Sequence, residues 1–190
     1  MLLDRKESFL LIVDVQEKLA PAVLDPDRVV ANAARLLAAA ERLEVPAFMT
    51  EHCADKIGPV LPALRDLVPG DAILPKVHFA AVREPACAER FSQLGRPVCV
   101  IAGMETHVCV LQSAISLKEA GYHPHVVADA VSSRHALDRD TALARLRDSG
   151  VGLVTTEMVI FEWLGRGDDA AFRDLLPVIK GAAAAPADAP

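Results

Sequence analysis

The chain has 190 residues, of which 52% are hydrophobic and 24% charged, with a formal net charge of −6. That suits a single domain with a large core, since domains run to roughly 150 residues, and it lacks the basic excess that marks a nucleic-acid surface. No apolar run approaches the ~18 residues of a membrane helix, and the first one, FLLIV at 9–13, is too short for a signal-peptide core and runs into Asp14. That same run, short, uninterrupted and followed by polar residues, has the pattern of a buried strand. Asp25-Pro26 then offers an N-cap and a first-turn proline. The helix they open carries Val29, Ala33, Leu36, Ala40 and Leu43 at spacings of four and three. Further strands are expected at 47–49, 72–74, 98–102, 125–128 and 152–154. A helix over 109–120 stops at Gly121 and another over 137–149 stops at Gly150, glycine being the residue that most readily follows a helix end. Strands alternating with helices imply crossover units and a six-stranded, mostly parallel sheet covered on both faces. The expected fold is therefore a three-layer α/β/α, Rossmann-like domain over residues 1–180. Residues 181–190, mostly Ala and Pro without period, are expected to form a disordered tail.

Four cysteines, at 53, 87, 99 and 109, form no CxxC pair and no pattern with paired histidines. Free thiols in a reducing, cytoplasmic setting follow. Aromatic residues make up only 4%, which gives no stacking platform for single-stranded nucleic acid. Ligands of open parallel sheets sit outside the carboxyl ends of the strands, so side chains that immediately follow a strand are the candidates for chemistry. Asp14 follows the first strand, Thr50-Glu51-His52 the second and Lys76 the third. The segment GMETHVC (103–109) follows the fourth and Asp129 the fifth. Cys109 stands where a strand becomes a helix, and a helix N-terminus favours thiolate over thiol and offers N–H groups to an oxyanion. A lysine near the sulfur would lower its pKa further, and a carboxylate could take its proton. The alternative for Cys109 is a small buried residue capping a helix; Cys99 in an apolar strand, Cys53 in a loop and Cys87 in a helical stretch lack its setting and are expected to be structural.

The segments LLIVDVQ (10–16), LPKVHF (74–79), GMETHVCV (103–110) and HVVADAVSSR (125–134) resemble the isochorismatase-like cysteine hydrolases, most closely the isochorismatase domain-containing subgroup. The resemblance runs from about residue 9 to 180. It implies a six-stranded parallel sheet between helices, in agreement with the six runs found by pattern, and a homo-oligomer. It also implies a catalytic triad of Asp14, Lys76 and Cys109, a cis peptide at Met104–Glu105, and an oxyanion hole formed by the N–H groups of Glu105 and Cys109. The activity it points to is cleavage of a C–N, amide-like bond of a small molecule through a thioester on the cysteine. Two alternatives stand beside it. One is isochorismatase-type vinyl-ether hydrolysis, which needs no sulfur nucleophile; the other is a non-catalytic binding or scaffold protein on the same fold.

Gln16, Phe79 and Thr106 are candidate substrate-binding residues, with pocket walls drawn from loops at 50–60, 79–86 and 130–135. The two-proline stretch 58–62 is expected to shape a loop near the pocket mouth. Asp129 is expected to anchor a loop, with Arg134 as its partner, and His107 is a rival base in a Cys–His dyad. No cofactor and no metal are expected. Nicotinamidases of this superfamily carry an Asp-x-His metal site after the second strand, where this chain has Thr50-Glu51-His52. His123-x-His125 lacks a third ligand, and a metal on Glu105-x-His107-x-Cys109 would quench the sulfur. The expected partners are a small-molecule substrate and further copies of the chain, with no nucleic acid and no membrane.

Overall fold

The computed structural model describes residues 1–181, and the segment expected to form a tail lies outside them beyond Gly181. Six strands alternate with helices: β1 (Ser8–Val13), α1 (Pro26–Arg42), β2 (Ala47–His52), α2 (Ala54–Ile57), α3 (Pro62–Arg65), β3 (Ile73–Lys76) and α4 (Pro85–Gln93). They are followed by β4 (Val98–Met104), α5 (Leu111–Glu119), β5 (His123–Ser132), α6 (Ala136–Asp148), β6 (Gly152–Val154), α7 (Thr156–Leu164) and α8 (Ala170–Ile179). All strand pairs are parallel and their order is β3-β2-β1-β4-β5-β6. The chain thus winds from the centre to one edge, then returns and winds to the other. The switch lies between β1 and β4, where crevices form above the strand ends.

β1 shows how two cores arise from one strand. Its six residues are all buried, and successive side chains point to opposite faces. Leu10 and Ile12 join Val29, Leu36, Ile160, Trp163 and Leu175 from α1, α7 and α8. Phe9, Leu11 and Val13 join Phe91, Ala114, Leu117 and Leu146 from α4, α5 and α6. Within the second core Phe9 packs on Phe91, with ring centroids 5.2 Å apart, and Phe91 on Phe48 at 5.7 Å. The apolar spacing of α1 is repeated in the structure, since Val29, Ala33, Leu36, Ala40 and Leu43 are all buried.

The structure corrects several local readings. β2 continues to His52 and β5 begins at His123 and ends at Ser132. The polar residues at their ends pair in the ladder, so hydropathy alone ends these strands too early. Asp25 does not cap α1 with its side chain; its carboxylate accepts a hydrogen bond from Arg28 Nε at 2.8 Å. α5 proper starts at Leu111, and Thr106–Val110 form one wide, π-type turn ahead of it. α7 and α8 have no counterpart in the expected elements; Thr155 Oγ1 caps the first and Asp169 Oδ1 the second.

Gly103 is required where β1 and β4 touch. Its φ is +125°, and a Cβ there would stand 2.0 Å from the Val13 carbonyl oxygen. No helix among the described residues is long and apolar enough to cross a membrane.

Candidate active site

Three strand ends bring Asp14, Lys76 and the turn bearing Cys109 together at the carboxyl edge of the sheet. Asp14 follows β1 in a left-handed conformation, φ 50°, a region that aspartate tolerates better than most side chains. Its carboxylate is fully buried and forms an ion pair with Lys76 Nζ at 2.7 Å, both side chains being inaccessible to solvent. Lys76 closes β3, and its ammonium also donates to the carbonyls of His78 (3.2 Å) and Phe79 (3.3 Å). These bonds meet the ammonium's remaining donors, without which burial of the pair would be costly. Thr50 Oγ1 donates to Asp14 Oδ1 at 2.6 Å, a contact between two strand-end residues to which the sequence assigns no role. Thr50→Val is expected to cost about 1.5–3 kcal/mol in urea unfolding, the usual worth of a hydrogen bond to a charged group. An unchanged midpoint would show that Asp14 does not depend on this bond.

Cys109 is 5% exposed. The peptide bond between Met104 and Glu105 is cis. The Glu105 carbonyl accepts from the N–H groups of Val108 (3.1 Å) and Val110 (3.2 Å), and the Cys109 N–H between them is not among its donors. The thiol's protonation differs from what a helix N-terminus and a nearby lysine suggest. Burial pushes the Cys109 thiol well above the ordinary thiol range, and contact with the Asp14 carboxylate pushes it further. Lys76 opposes the shift without overcoming it, because its charge is already matched by Asp14 at 2.7 Å. At rest Cys109 is therefore a thiol beside a paired carboxylate.

The other candidates lie nearby in different settings. Thr106 is fully buried and its Oγ1 has no hydrogen-bond partner. Phe79 is half exposed and its ring packs on His52 with centroids 5.1 Å apart. Gln16 is fully buried, and its amide is committed to main chain: Nε2 donates to the carbonyls of Gly58 (2.6 Å) and His52 (3.1 Å), and Oε1 accepts from His52 N at 2.7 Å. It thereby ties the 52–60 loop to the end of β1, a tie completed by the pairing of Gln16 with Val60. Glu51 holds the same loop by accepting from Val60 N (2.8 Å) and pairing with Arg65.

Two expectations change. Arg134 pairs with Glu105, Nε to Oε1 at 2.6 Å, and not with Asp129. Asp129 does anchor chain segments, through Oδ1 to Thr156 N (2.7 Å) and Oγ1 (3.0 Å), and its carbonyl accepts from Asn32 and Arg28. His107 does not serve Cys109: Nδ1 meets Ser133 Oγ at 2.9 Å and Nε2 lies 3.9 Å from Asp138. Among the described residues no group of three or more His, Cys, Asp or Glu side chains is arranged to hold a metal ion. A surface cleft of about 760 Å³, lined by Arg5, Lys6, Arg42, Arg96 and Asp169 among others, involves none of these groups.

Comparison with known proteins identifies the family and the fold. The Isochorismatase domain family model matches residues 8–158. Isochorismatase domain-containing protein 2 of Danio rerio is 38% identical over 176 residues, covering 91% of this chain and 87% of its own. A solved structure described as the MAR1 ribonuclease of Caenorhabditis elegans superposes with a TM-score of 0.89 at 29% identity, over 100% of this chain and 98% of the other. The YcaC gene product of Escherichia coli, described as an octameric hydrolase of unknown specificity, superposes with a TM-score of 0.87 at 27% identity, over 94% and 90%. With most of the domain matched in sequence and nearly all of it in fold, the chain is a hydrolase belonging to the isochorismatase family.

Proposed function

We propose that this hydrolase cleaves the C–N bond of a small carboxamide-like molecule through a thioester on Cys109. The observation that carries the reading is a thiol held against a buried carboxylate–ammonium pair at the sheet's switch point. Asp14 takes the thiol proton as the sulfur attacks the carbonyl carbon, and Lys76 steadies the charge on both. An S–C bond forms, and the carbonyl π electrons move to the oxygen, which the N–H groups of Glu105 and Cys109 hold. Collapse breaks the C–N bond, and Asp14 returns its proton to the departing nitrogen. Water then attacks the thioester while Asp14 takes a proton from it, which frees the acid and restores the thiol. Thr106, with its unpartnered buried hydroxyl, and Phe79 are the side chains proposed to touch substrate. Gln16 supports the wall formed by the 52–60 loop.

Vinyl-ether hydrolysis asks only for proton donation and leaves the thiol without a role. The ribonuclease description belongs to the Caenorhabditis elegans protein. Here a net charge of −6 and 4% aromatic residues favour a small molecule over a polyanionic chain. The octameric Escherichia coli relative supports a homo-oligomer. All four cysteines are free, which supports a reducing, cytoplasmic setting.

A screen of small amides, ureides and carbamoyl compounds tests the reading, with ammonia release measured and hydroxylamine used to trap an acyl group on Cys109. Turnover of vinyl ethers alone, with no acyl adduct, would overturn it. The raised thiol pKa makes a second prediction. Thiolate is scarce at neutral pH, so modification of Cys109 by methyl methanethiosulfonate is expected to rise about tenfold per pH unit from pH 6 to 9 without a plateau. A plateau below pH 8 would mean that the thiol is activated at rest.

A further inference from the structure

We infer that His52 is a specificity-determining residue, whose Nδ1 accepts a hydrogen bond from an N–H group attached to the substrate's carbonyl carbon. His52 ends β2 and is paired in the ladder with Lys76. Gln16 grips its backbone on both sides, and Phe79 packs against its ring. The imidazole is therefore held in one place beside the triad. Its Nδ1 is buried and has no hydrogen-bond partner.

The ring's environment favours its neutral form. Burial lowers the His52 pKa, Lys76 and then Lys56 lower it further, and Asp14 and a hydrogen bond to the His78 main chain only partly offset them. Burial and the lysines favour the neutral ring, and with Nδ1 unpartnered we place its one proton on Nε2. Nδ1 is left as a lone-pair acceptor within the field of Lys76 and Asp14, where a polar atom without a partner is costly. A primary amide, ureide or hydrazide brings the missing donor on the nitrogen bonded to its carbonyl carbon. An ester or a dialkylamide of the same shape does not. Sites built around a polar partner reject analogues that lack it far more strongly than apolar pockets reject a change of size. The inference rests on Cys109 as nucleophile and adds the class of substrate that would be accepted.

The test uses the full chain and reads alkylation of Cys109 by intact mass, with Cys109→Ala as background. The probes are acrylamide and N,N-dimethylacrylamide. In each the sulfur bonds to the β-carbon and the thiol proton ends on the α-carbon. The wild-type ratio of the two rates is compared with that of His52→Phe, which keeps a ring against Phe79 but has no acceptor. His52→Phe is expected to lower the ratio about tenfold, the worth of one neutral hydrogen bond, by slowing acrylamide alone. His52→Asn, whose side-chain oxygen stands near the place of Nδ1, is expected to restore much of it. If His52→Phe does not fold, the comparison of His52→Leu with His52→Asn reads the same ratio. An unchanged ratio with Cys109 still labelled overturns the role of His52 and leaves the nucleophile intact. No labelling of Cys109 by either probe removes the nucleophile and the inference together.

Discussion

Cys109→Ala is expected to lower turnover of a carboxamide substrate by at least about 10³-fold, because no other group near Asp14 can form the thioester. The protein itself should survive the change. Cys109 is a small buried side chain whose thiol stands against the Asp14 carboxylate, and its loss removes one sulfur from the second core. A cost of about 1 kcal/mol is expected, a shift of about 2–4 °C in Tm for a chain of this size. Turnover and thermal melting measured on the same preparation therefore separate a chemical role from a structural one. Undiminished turnover by the folded variant would remove sulfur from the mechanism. The unpartnered hydroxyl of Thr106 would then be the next group to test as the reacting atom's neighbour.

The Asp14–Lys76 pair is expected to produce the largest loss of stability. Both side chains are inaccessible and 2.7 Å apart, so removing one leaves the other charged and buried, at a cost of about 3–5 kcal/mol. Lys76→Met should show this in urea unfolding and should also abolish activity. Asp14→Asn should behave likewise. In the double variant neither charge remains, and a buried pair replaced by neutral groups of similar volume is often no less stable than the original. The double variant is therefore expected to recover most of the lost stability and none of the activity. Strict additivity of the two single losses would show that the charges do not depend on each other. The pair also accounts for the resting state of the thiol. An unpaired lysine beside Cys109 would draw out its proton, whereas one matched by Asp14 leaves the proton for the moment of attack.

Much of the architecture follows from local pattern. The run at 9–13 reads as strand because both faces of the sheet are covered, and its residues divide between two cores in the structure. α1 reads as helix because its apolar residues line one stripe, and α5 and α6 end at Gly121 and Gly150, whose positive φ suits a helix end. Strand ends proved harder. Thr50, Glu51 and His52 belong to β2 although they are polar, since the ladder continues through them and Thr50 and Glu51 find polar partners in Asp14 and in Val60 and Arg65.

Function divides along the same line. Residue order alone is enough to propose Asp14, Lys76 and Cys109 as candidates, because each follows a strand and the motifs around them resemble one family. What those residues do to one another depends on distances between elements far apart in the chain. Strand order places Thr50 and His52 beside Asp14 and Lys76, and it sends Arg134 to Glu105 rather than to Asp129. Composition, hydrophobic and acidic with four cysteines, determined a domain-sized chain with a large core and several thiols. Only the tertiary structure decided that one of those thiols is buried against a matched ion pair and keeps its proton. Burial and charge pairing are properties of packed neighbours, and no local stretch of sequence contains them.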